Sequence, residues 1–378
     1  MSRNRRAGIH SAVPGPVIVP HADAVIEGFE AGYRMGWRDG ACEAVLRHTA
    51  LPVARRRSVR AIYVPQGFQA IDEGVSHALA ETVKELHVIP AEQMAEQALL
   101  IRPDFVFVLN GLHVFPENHL AQIDTIRAAG IRTIIWFADD PYVTDDTVKV
   151  APHYDTILTH ELSTISLYQS LGCRDVHYMP LAVHPALFRP APAAAEYRSD
   201  VCFIGQAFWN RVELFDALAE QLAGLKVFIA GGLWERLAAF NQLKPFIRQG
   251  WLPVEESIQY YNGARIVINM HRTTEAGLDN KNGYRYPGRS INPRTYEIAA
   301  CGTLQLTDIR EDLVRHYQPG LELDTFQHAQ ELGEKIRYYL ANEELRSAIA
   351  VRGLARTLRD HTYMSRMEQV MQALRYFD

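Results

Sequence analysis

Short apolar runs rich in β-branched residues, each followed by an amphipathic segment, recur along most of the chain. No other feature limits the fold as much. "VRAIYVP", "KELHVIP", "DFVFVLN", "RTIIWFA", "DTILTH" and "DVHYMP" are six such runs, separated by segments such as "HALAETV", "ENHLAQIDTIRAAG" and "ELSTISLYQSLG". Strands apolar on both faces that alternate with helices build a parallel, doubly wound sheet. "PLAVHPALFRPAPAAAEYRS" then reads as a linker. A second alternating set follows: "DVCFIG", a helix over 209–222, "KVFIAG", "PFIRQG", a helix over 254–263, "RIVINM", a helix over 293–301 and "TLQLTD". Helical segments close the chain from residue 327 onward.

The expected fold is therefore α/β, with two Rossmann-like parallel-sheet domains. The boundaries are 58–184 for the first domain, 185–198 for the linker, 199–357 for the second domain and 358–378 for a closing helix. Ligands bind such sheets at the carboxyl ends of the strands, so the cleft between the domains is the natural site.

Residues 1–57 follow another rule. Gly28, Gly32, Gly36 and Gly40 stand four apart, and Phe29, Tyr33 and Trp37 keep the same step. That step puts glycines and aromatics on neighbouring stripes of one helix. Each interior glycine costs a helix about 1 kcal/mol, which close approach to another helix would offset. The segment reads either as a partly ordered tail or as a helical arm packing on the body or on a second copy. The run Arg55-Arg56-Arg57 is expected to be a solvated boundary, and "MSRNRR" a short basic tail.

The formal net charge of −5 disfavours nucleic acid and membrane surfaces as partners. No apolar run approaches the ~18 residues of a membrane span, and no secretory signal follows the amino-terminal arginines. Cys42, Cys173, Cys202 and Cys301 have no metal-type spacing. Cys202 and Cys301 lie in apolar runs and read as buried thiols, which points to a reducing, cytoplasmic setting.

Six stretches carry chemistry. In "DVCFIGQAFWNR", Gly205 allows a tight strand-to-helix turn, and Arg211 enters the next helix early enough to grip a phosphate through its planar fork. A routine turn with a surface arginine is the plain alternative. In "SINPRTYEIAACG", Asn292 caps a helix whose first residue is Pro293, and Gly302 lies just past its end. Glu297 falls too late for a capping box. Arg294 and Glu297 share a face near the helix's positive end, either facing a ligand or forming a surface ion pair. The twenty-residue loop 271–290 follows the strand "RIVINM" and supplies Arg272, Asn280, Lys281, Arg285 and Arg289 as donors. A loop that long inside a compact domain is usually functional or disordered. Asn269 and His271 end the same strand and join the donor-binding set. In "IIWFADDPY", Asp139 and Asp140 stand at a strand's carboxyl end, as acceptor-side carboxylates or as turn caps. They make an incomplete magnesium site, so no metal is assigned. His160 and Glu161 end the next strand, as an acid–base pair or a helix start. Trp251 and Leu252 either flank a nucleobase or pack in the core.

No G-x-G-x-x-G fingerprint or P-loop occurs, which lowers the standing of nicotinamide oxidoreductases and P-loop enzymes. "FIGQAFWNRVELFDAL", "INPRTYEIAACGTLQLTD" and "ELGEKIRYYLANEELRSAIAVRGLARTLRDHTYMSRM" together resemble CgeB-type spore maturation proteins, of the GT-B clan and similar to group-1 retaining glycosyltransferases. The resemblance covers residues 58–378. It implies an acceptor-facing first domain, a donor-binding second domain and a last helix that crosses back. It implies that Glu297 holds the donor ribose and that Arg211 contacts the diphosphate. The related pattern carries a second glutamate eight residues before the first, where this chain has Arg289. The implied function is transfer of a sugar from a nucleotide-diphosphate donor, UDP above all, to a hydroxyl on a protein or glycan, with no required cofactor. Asp139, Asp140 and His160 are its acceptor-side and acid–base candidates. The competing readings are a non-catalytic spore-surface or assembly protein, a nucleotide-sugar epimerase and, disfavoured by the acidic balance, a DNA-modifying transferase. A homodimer through the arm is the expected self-association.

Overall fold

The computed structural model describes residues 22–277 and 279–376. The basic tail "MSRNRR" lies outside them.

The first domain is one six-stranded parallel sheet: β1 (Arg57–Val64), β2 (Val83–Val88), β3 (Phe105–Leu109), β4 (Arg132–Phe137), β5 (Thr156–Thr159) and β6 (Asp175–Tyr178), ordered β2-β1-β3-β4-β5-β6. The second domain is another: β7 (Ser199–Ile204), β8 (Val227–Gly231), β9 (Ile247–Gln249), β10 (Ala264–Asn269), β11 (Leu304–Asp308) and β12 (Asp324–Phe326), ordered β12-β11-β10-β7-β8-β9. The α/β architecture with two parallel sheets is as expected. β12 is an addition: three residues are too few to show a period.

The helices are α1 (Ala22–His48), α2 (Gln69–Thr82), α3 (Met94–Ile101), α4 (His119–Ala128), α5 (Thr144–Val150), α6 (Thr164–Ser170), α7 (Trp209–Leu218), α8 (Phe240–Leu243), α9 (Val254–Gly263), α10 (Pro293–Ala300), α11 (Leu313–His316), α12 (Ala329–Ala341), α13 (Glu343–Asp360) and α14 (Tyr363–Ala373).

Both faces of each sheet are covered, and alternation along a strand shows it. Ala61 and Tyr63 enter one core cluster while Ile62 and Val64 enter another. In β10, Ile266 and Ile268 face one side and Val267 the other. Side chains of a strand point alternately to opposite faces, so each face needs its own helical layer. The last helix supplies part of that layer to the first domain: Tyr363, Met367, Val370, Met371 and Leu374 of α14 and its end join the core of β1, β3 and β4.

The arginine run at the boundary is exposed at Arg55 and Arg56, as expected, but not at Arg57. Arg57 opens β1 nearly fully buried, and its guanidinium meets both carboxylate oxygens of Glu368 at 2.9 Å. Such a fork-on-fork pair binds more tightly than a surface contact and fixes α14 on the sheet. The arm is a helix packed on the body, but not through the expected face. Its body contacts come from Arg38, Cys42, Val45 and Leu46, not from the glycine stripe. A Cβ on Gly28, Gly32, Gly36 or Gly40 would meet nothing within 4 Å. The close approach is provided by Gly302, where a Cβ would stand 2.8 Å from the Cys42 sulfur. Phe29 and Tyr33 are exposed. Among the described residues no helix is long and apolar enough to cross a membrane.

Candidate active site

All twelve strands are parallel within their sheets, so each sheet gathers its carboxyl ends at one edge. The residues singled out from the sequence cluster at these two edges.

Helix α10 starts where predicted and ends one residue sooner, at Ala300. Asn292 caps it, its side-chain oxygen accepting the N–H of Thr295 at 3.1 Å, and Pro293 is its first residue. The cap's own N–H donates to Nε2 of His271 at 2.9 Å. His271 must then be neutral and carry its proton on Nδ1, which lies 2.6 Å from Asp308. Burial lowers the His271 pKa further, with Asp308 opposing. Burial also works against the charge of Asp308, but His271 and Arg310 outweigh it and hold that carboxyl down at about 2. With Pro293 lacking an N–H, Arg294 is left as the free backbone donor of the first turn. Asn269 is fully buried and donates to Asn292 and Thr295, so it acts through the cap. Asn269 and His271, expected among the donor-binding residues, are positioning residues for α10.

Arg294 and Glu297 are both half-buried, and neither makes a hydrogen bond or ion pair with any described residue. The surface ion pair considered from their spacing does not form. Burial pushes the Glu297 carboxyl up to about 7, opposed only by the field of Arg294. A half-buried carboxylate and guanidinium without partners are costly unless something else engages them.

Arg211 corrects the sequence reading. It is buried, and three of its nitrogens donate to backbone carbonyls: Nε and Nη2 to Met270 at 3.1 and 2.7 Å, Nη1 to Gln206 at 2.9 Å. Its guanidinium stacks on Phe208 and Phe203. The fork is spent on the protein, so Arg211 braces the β7–α7 turn against the end of β10. Burial first, then the nearby Arg294, lowers its pKa to about 9. Arg211, Arg272 and Arg294 thus concentrate positive charge around the start of α10. We expect Arg211→Ala to cost about 2–4 kcal/mol of stability, because two backbone carbonyls lose the three hydrogen bonds it donates. A denaturant midpoint unchanged from the parent would contradict this.

Gly205 sits in a tightly packed turn. Gly231, at φ +141°, comes so close that any Cβ there would overlap the Gly205 carbonyl. A Cβ on Gly205 itself would stand 3.0 Å from the Arg211 guanidinium. Leu252 is buried, in keeping with the packing alternative, whereas Trp251 is 83% exposed beyond the end of β9 and free to stack. The Arg289 side chain turns to Glu311 at 3.3 Å.

On the facing edge, the two aspartates have opposite fates. Asp140 is fully buried and accepts from Tyr168 at 2.8 Å, Thr159 at 2.7 Å and Thr164 at 3.1 Å. It therefore serves the first domain's core and is removed from the catalytic candidates. Burial raises its carboxyl to about 6 against those hydrogen bonds. Asp139 stays at the surface, held by Asn110 at 2.8 Å and by Nε2 of His113 at 3.1 Å. The hydrogen bond to Asp139 is the main cause of the raised His113 pKa. Asn110, Gly111 and His113 all have left-handed backbones, strain of a kind that gathers at working sites. His113 also lines a depression of about 360 Å³ that includes Lys281 of the second domain. His113 was missed in the sequence because its partner is 26 residues away.

His160 follows β5, is 4% exposed, and neither ring nitrogen has a hydrogen-bond partner among the described residues. Burial lowers its pKa to about 4, so the ring is neutral. Glu161 beside it is more than a helix start. Its carboxylate accepts the N–H of Ser163 at 2.9 Å, and of Arg289 and Ser290 at 3.1 Å, joining the two domains. Burial raises it to about 7 against these amides. The described residues of loop 271–290 are anchored by similar means: Lys281 pairs with Asp146 and buried Asn282 ties the loop to Thr144. Among the described residues no group of three or more His, Cys, Asp or Glu side chains could hold a metal.

Residues 211–372 match the family described as glycosyl transferase-like. The chain is 29% identical over 314 residues to the spore protein CgeB of Bacillus subtilis, a match spanning 81% of this chain and 95% of that protein. The structure is similar to HepE of Anabaena solved with UDP-glucose (TM-score 0.58, 11% identity, 84% of this chain and 99% of that one). It is also similar to sucrose-phosphate synthase from Thermosynechococcus elongatus (TM-score 0.57, 12% identity, 84% and 98%). A glycosyltransferase from Rickettsia africae is a further likeness (TM-score 0.56, 12% identity, 84% and 99%). The resemblance read from the motifs is thus borne out: the chain is similar to CgeB along most of its length, its residues 211–372 match the glycosyl transferase-like family, and its two sheets form the GT-B fold.

Proposed function

We propose that this chain transfers a sugar from a UDP-sugar to a hydroxyl on a protein or glycan, with retention at the anomeric carbon, in glycosylation of a spore or cell surface. The observation that carries the reading is the start of α10: a free N–H, an unpaired guanidinium and an unpaired carboxylate side by side at the carboxyl edge of the sheet. The acceptor oxygen bonds to the anomeric carbon while the bond to the diphosphate oxygen breaks, and the nucleoside diphosphate leaves with the electron pair. Negative charge grows on that leaving group, so donors aimed at it lower the barrier most. Arg294, its N–H and the field of Arg211 and Arg272 are suited to this. Glu297 accepts hydrogen bonds from the ribose hydroxyls, and Trp251 stacks on the base. Neutral His160 holds the sugar by a hydroxyl, and the Asp139–His113 pair takes the acceptor's proton. These guanidinium groups supply the charge a metal would otherwise bring, so chelation is expected to leave turnover unchanged.

The support comes from the family match over the second domain and from the spore protein that the chain resembles. HepE, solved with UDP-glucose, shares only the fold. A second reading, a nucleotide-binding protein without turnover, is favoured by Arg289 standing where related transferases carry a glutamate. UDP release from UDP-glucose, measured with and without a cell-wall glycan acceptor, tests the first reading. Release that rises with acceptor is expected. UDP binding with no release under any acceptor would favour the second.

A further inference from the structure

One cavity lies outside the cleft. It lies by the amino ends of β7, β10 and β11, the edge opposite the start of α10, and holds about 430 Å³. That volume is in the range of small-ligand sites. Helix α1 contributes Arg38 and Asp39 to its wall, and α13 contributes Arg346.

Its charges are unbalanced. Five cations line it (Arg38, Arg198, Lys226, Arg265 and Arg346) against three carboxylates, although the chain as a whole carries −5. Each carboxylate already answers one guanidinium. Asp39 faces Arg38 at 3.8 Å, Asp200 faces Arg265 at 3.3 Å, and Glu343 faces Arg346 at 3.4 Å. Arg198 and Lys226 are left over. Among the described residues their side chains hydrogen-bond only to backbone carbonyls, of Ala193 and Ala195. Arg346 is buried, and its guanidinium is pushed down to about 10 by burial first, with Arg265 and Arg38 acting the same way against Glu343.

A second observation points into the same space. The hydroxyl of Ser199, at the start of β7, lines the cavity, is 6% exposed and has no hydrogen-bond partner. A buried hydroxyl left unpaired is costly, and a ligand oxygen would satisfy it.

We propose that this cavity binds a small phosphate ester. Its two negative charges match the two unanswered cations, Arg198 and Lys226, and the Ser199 hydroxyl donates to a phosphate oxygen from the floor. Because Arg38 and Asp39 belong to α1, occupancy ties the arm to the donor-side domain. The site shares no residue with the cleft, so its existence does not depend on the transferase reading.

The test is calorimetry on the full chain with ribose 5-phosphate, using ribose as the uncharged control. Ribose 5-phosphate is expected to bind and ribose not. The exposed pair Arg198→Ala/Lys226→Ala should weaken the phosphate ester about tenfold or more, and Ser199→Ala should weaken it without loss of fold. Arg294→Ala, in the cleft, should leave it unchanged. Hydrogen exchange at residues 35–45 should slow on binding. Absence of binding, equal affinity in the Arg198→Ala/Lys226→Ala variant, or loss in Arg294→Ala instead would overturn the proposal.

Discussion

Glu297→Gln is expected to weaken UDP-sugar binding about 10- to 100-fold and at the same time to raise the melting temperature by a few degrees. The two effects have one cause. A half-buried carboxylate without a hydrogen-bond partner strains the free protein, and its raised pKa of about 7 records that strain. Ribose hydroxyls would relieve it, and hydrogen bonds to a charged group contribute about 1.5–3 kcal/mol. The amide removes both the strain and most of the attraction. The sign with pH follows. The unfolded carboxyl titrates near its ordinary value of 4.5 and the folded one near 7. Between them the folded state binds more protons, so this group lowers stability as pH rises through that window. The stabilisation by Glu297→Gln should therefore grow from pH 4.5 to 7 and level off above. Donor affinity of the parent should rise over the same window as the carboxylate ionises. A structural glutamate would show the opposite: lower melting temperature in the variant and no change in nucleotide affinity by calorimetry.

His160→Leu is expected to lower kcat/KM about 10- to 100-fold while leaving stability equal to the parent or above it. An imidazole with both nitrogens buried and unpartnered contributes little to the free fold, since each unmet group costs about 1–3 kcal/mol. In the proposed reading it is engaged only when a sugar hydroxyl reaches it. Its pKa of about 4 means that the ring stays neutral across the working range, so loss of activity in acid down to pH 5 is not expected from this group. Comparing kcat/KM with the denaturant midpoint separates the roles. A fall in both would make His160 a core residue, and unchanged kcat/KM would remove it from the site.

The strands and α10 were legible because their signals are local. β-branched runs mark buried strands, and Asn292-Pro293 with Gly302 marks both ends of the short helix. The absence of a capping role for Glu297 was legible for the same reason. Contacts across long separations were not. Glu161 reaches amides 128 and 129 residues away, and nothing in "TILTHELS" shows it. Arg211 looked exposed at the start of a helix, yet the carbonyl of Met270, 59 residues on, takes its fork. Asp139 and Asp140 are adjacent and chemically alike. Only the packing of Thr159, Thr164 and Tyr168 tells which one turns inward. The glycine stripe of α1 was visible, but its faces are open among the described residues, and Gly302 makes the tight contact instead.

The most direct test is a crystal structure with UDP bound. The diphosphate is expected within hydrogen-bond distance of the Arg294 N–H and guanidinium, with the ribose hydroxyls on Glu297. A nucleotide bound elsewhere, or in the cleft with Glu297 facing bulk water, would contradict the account.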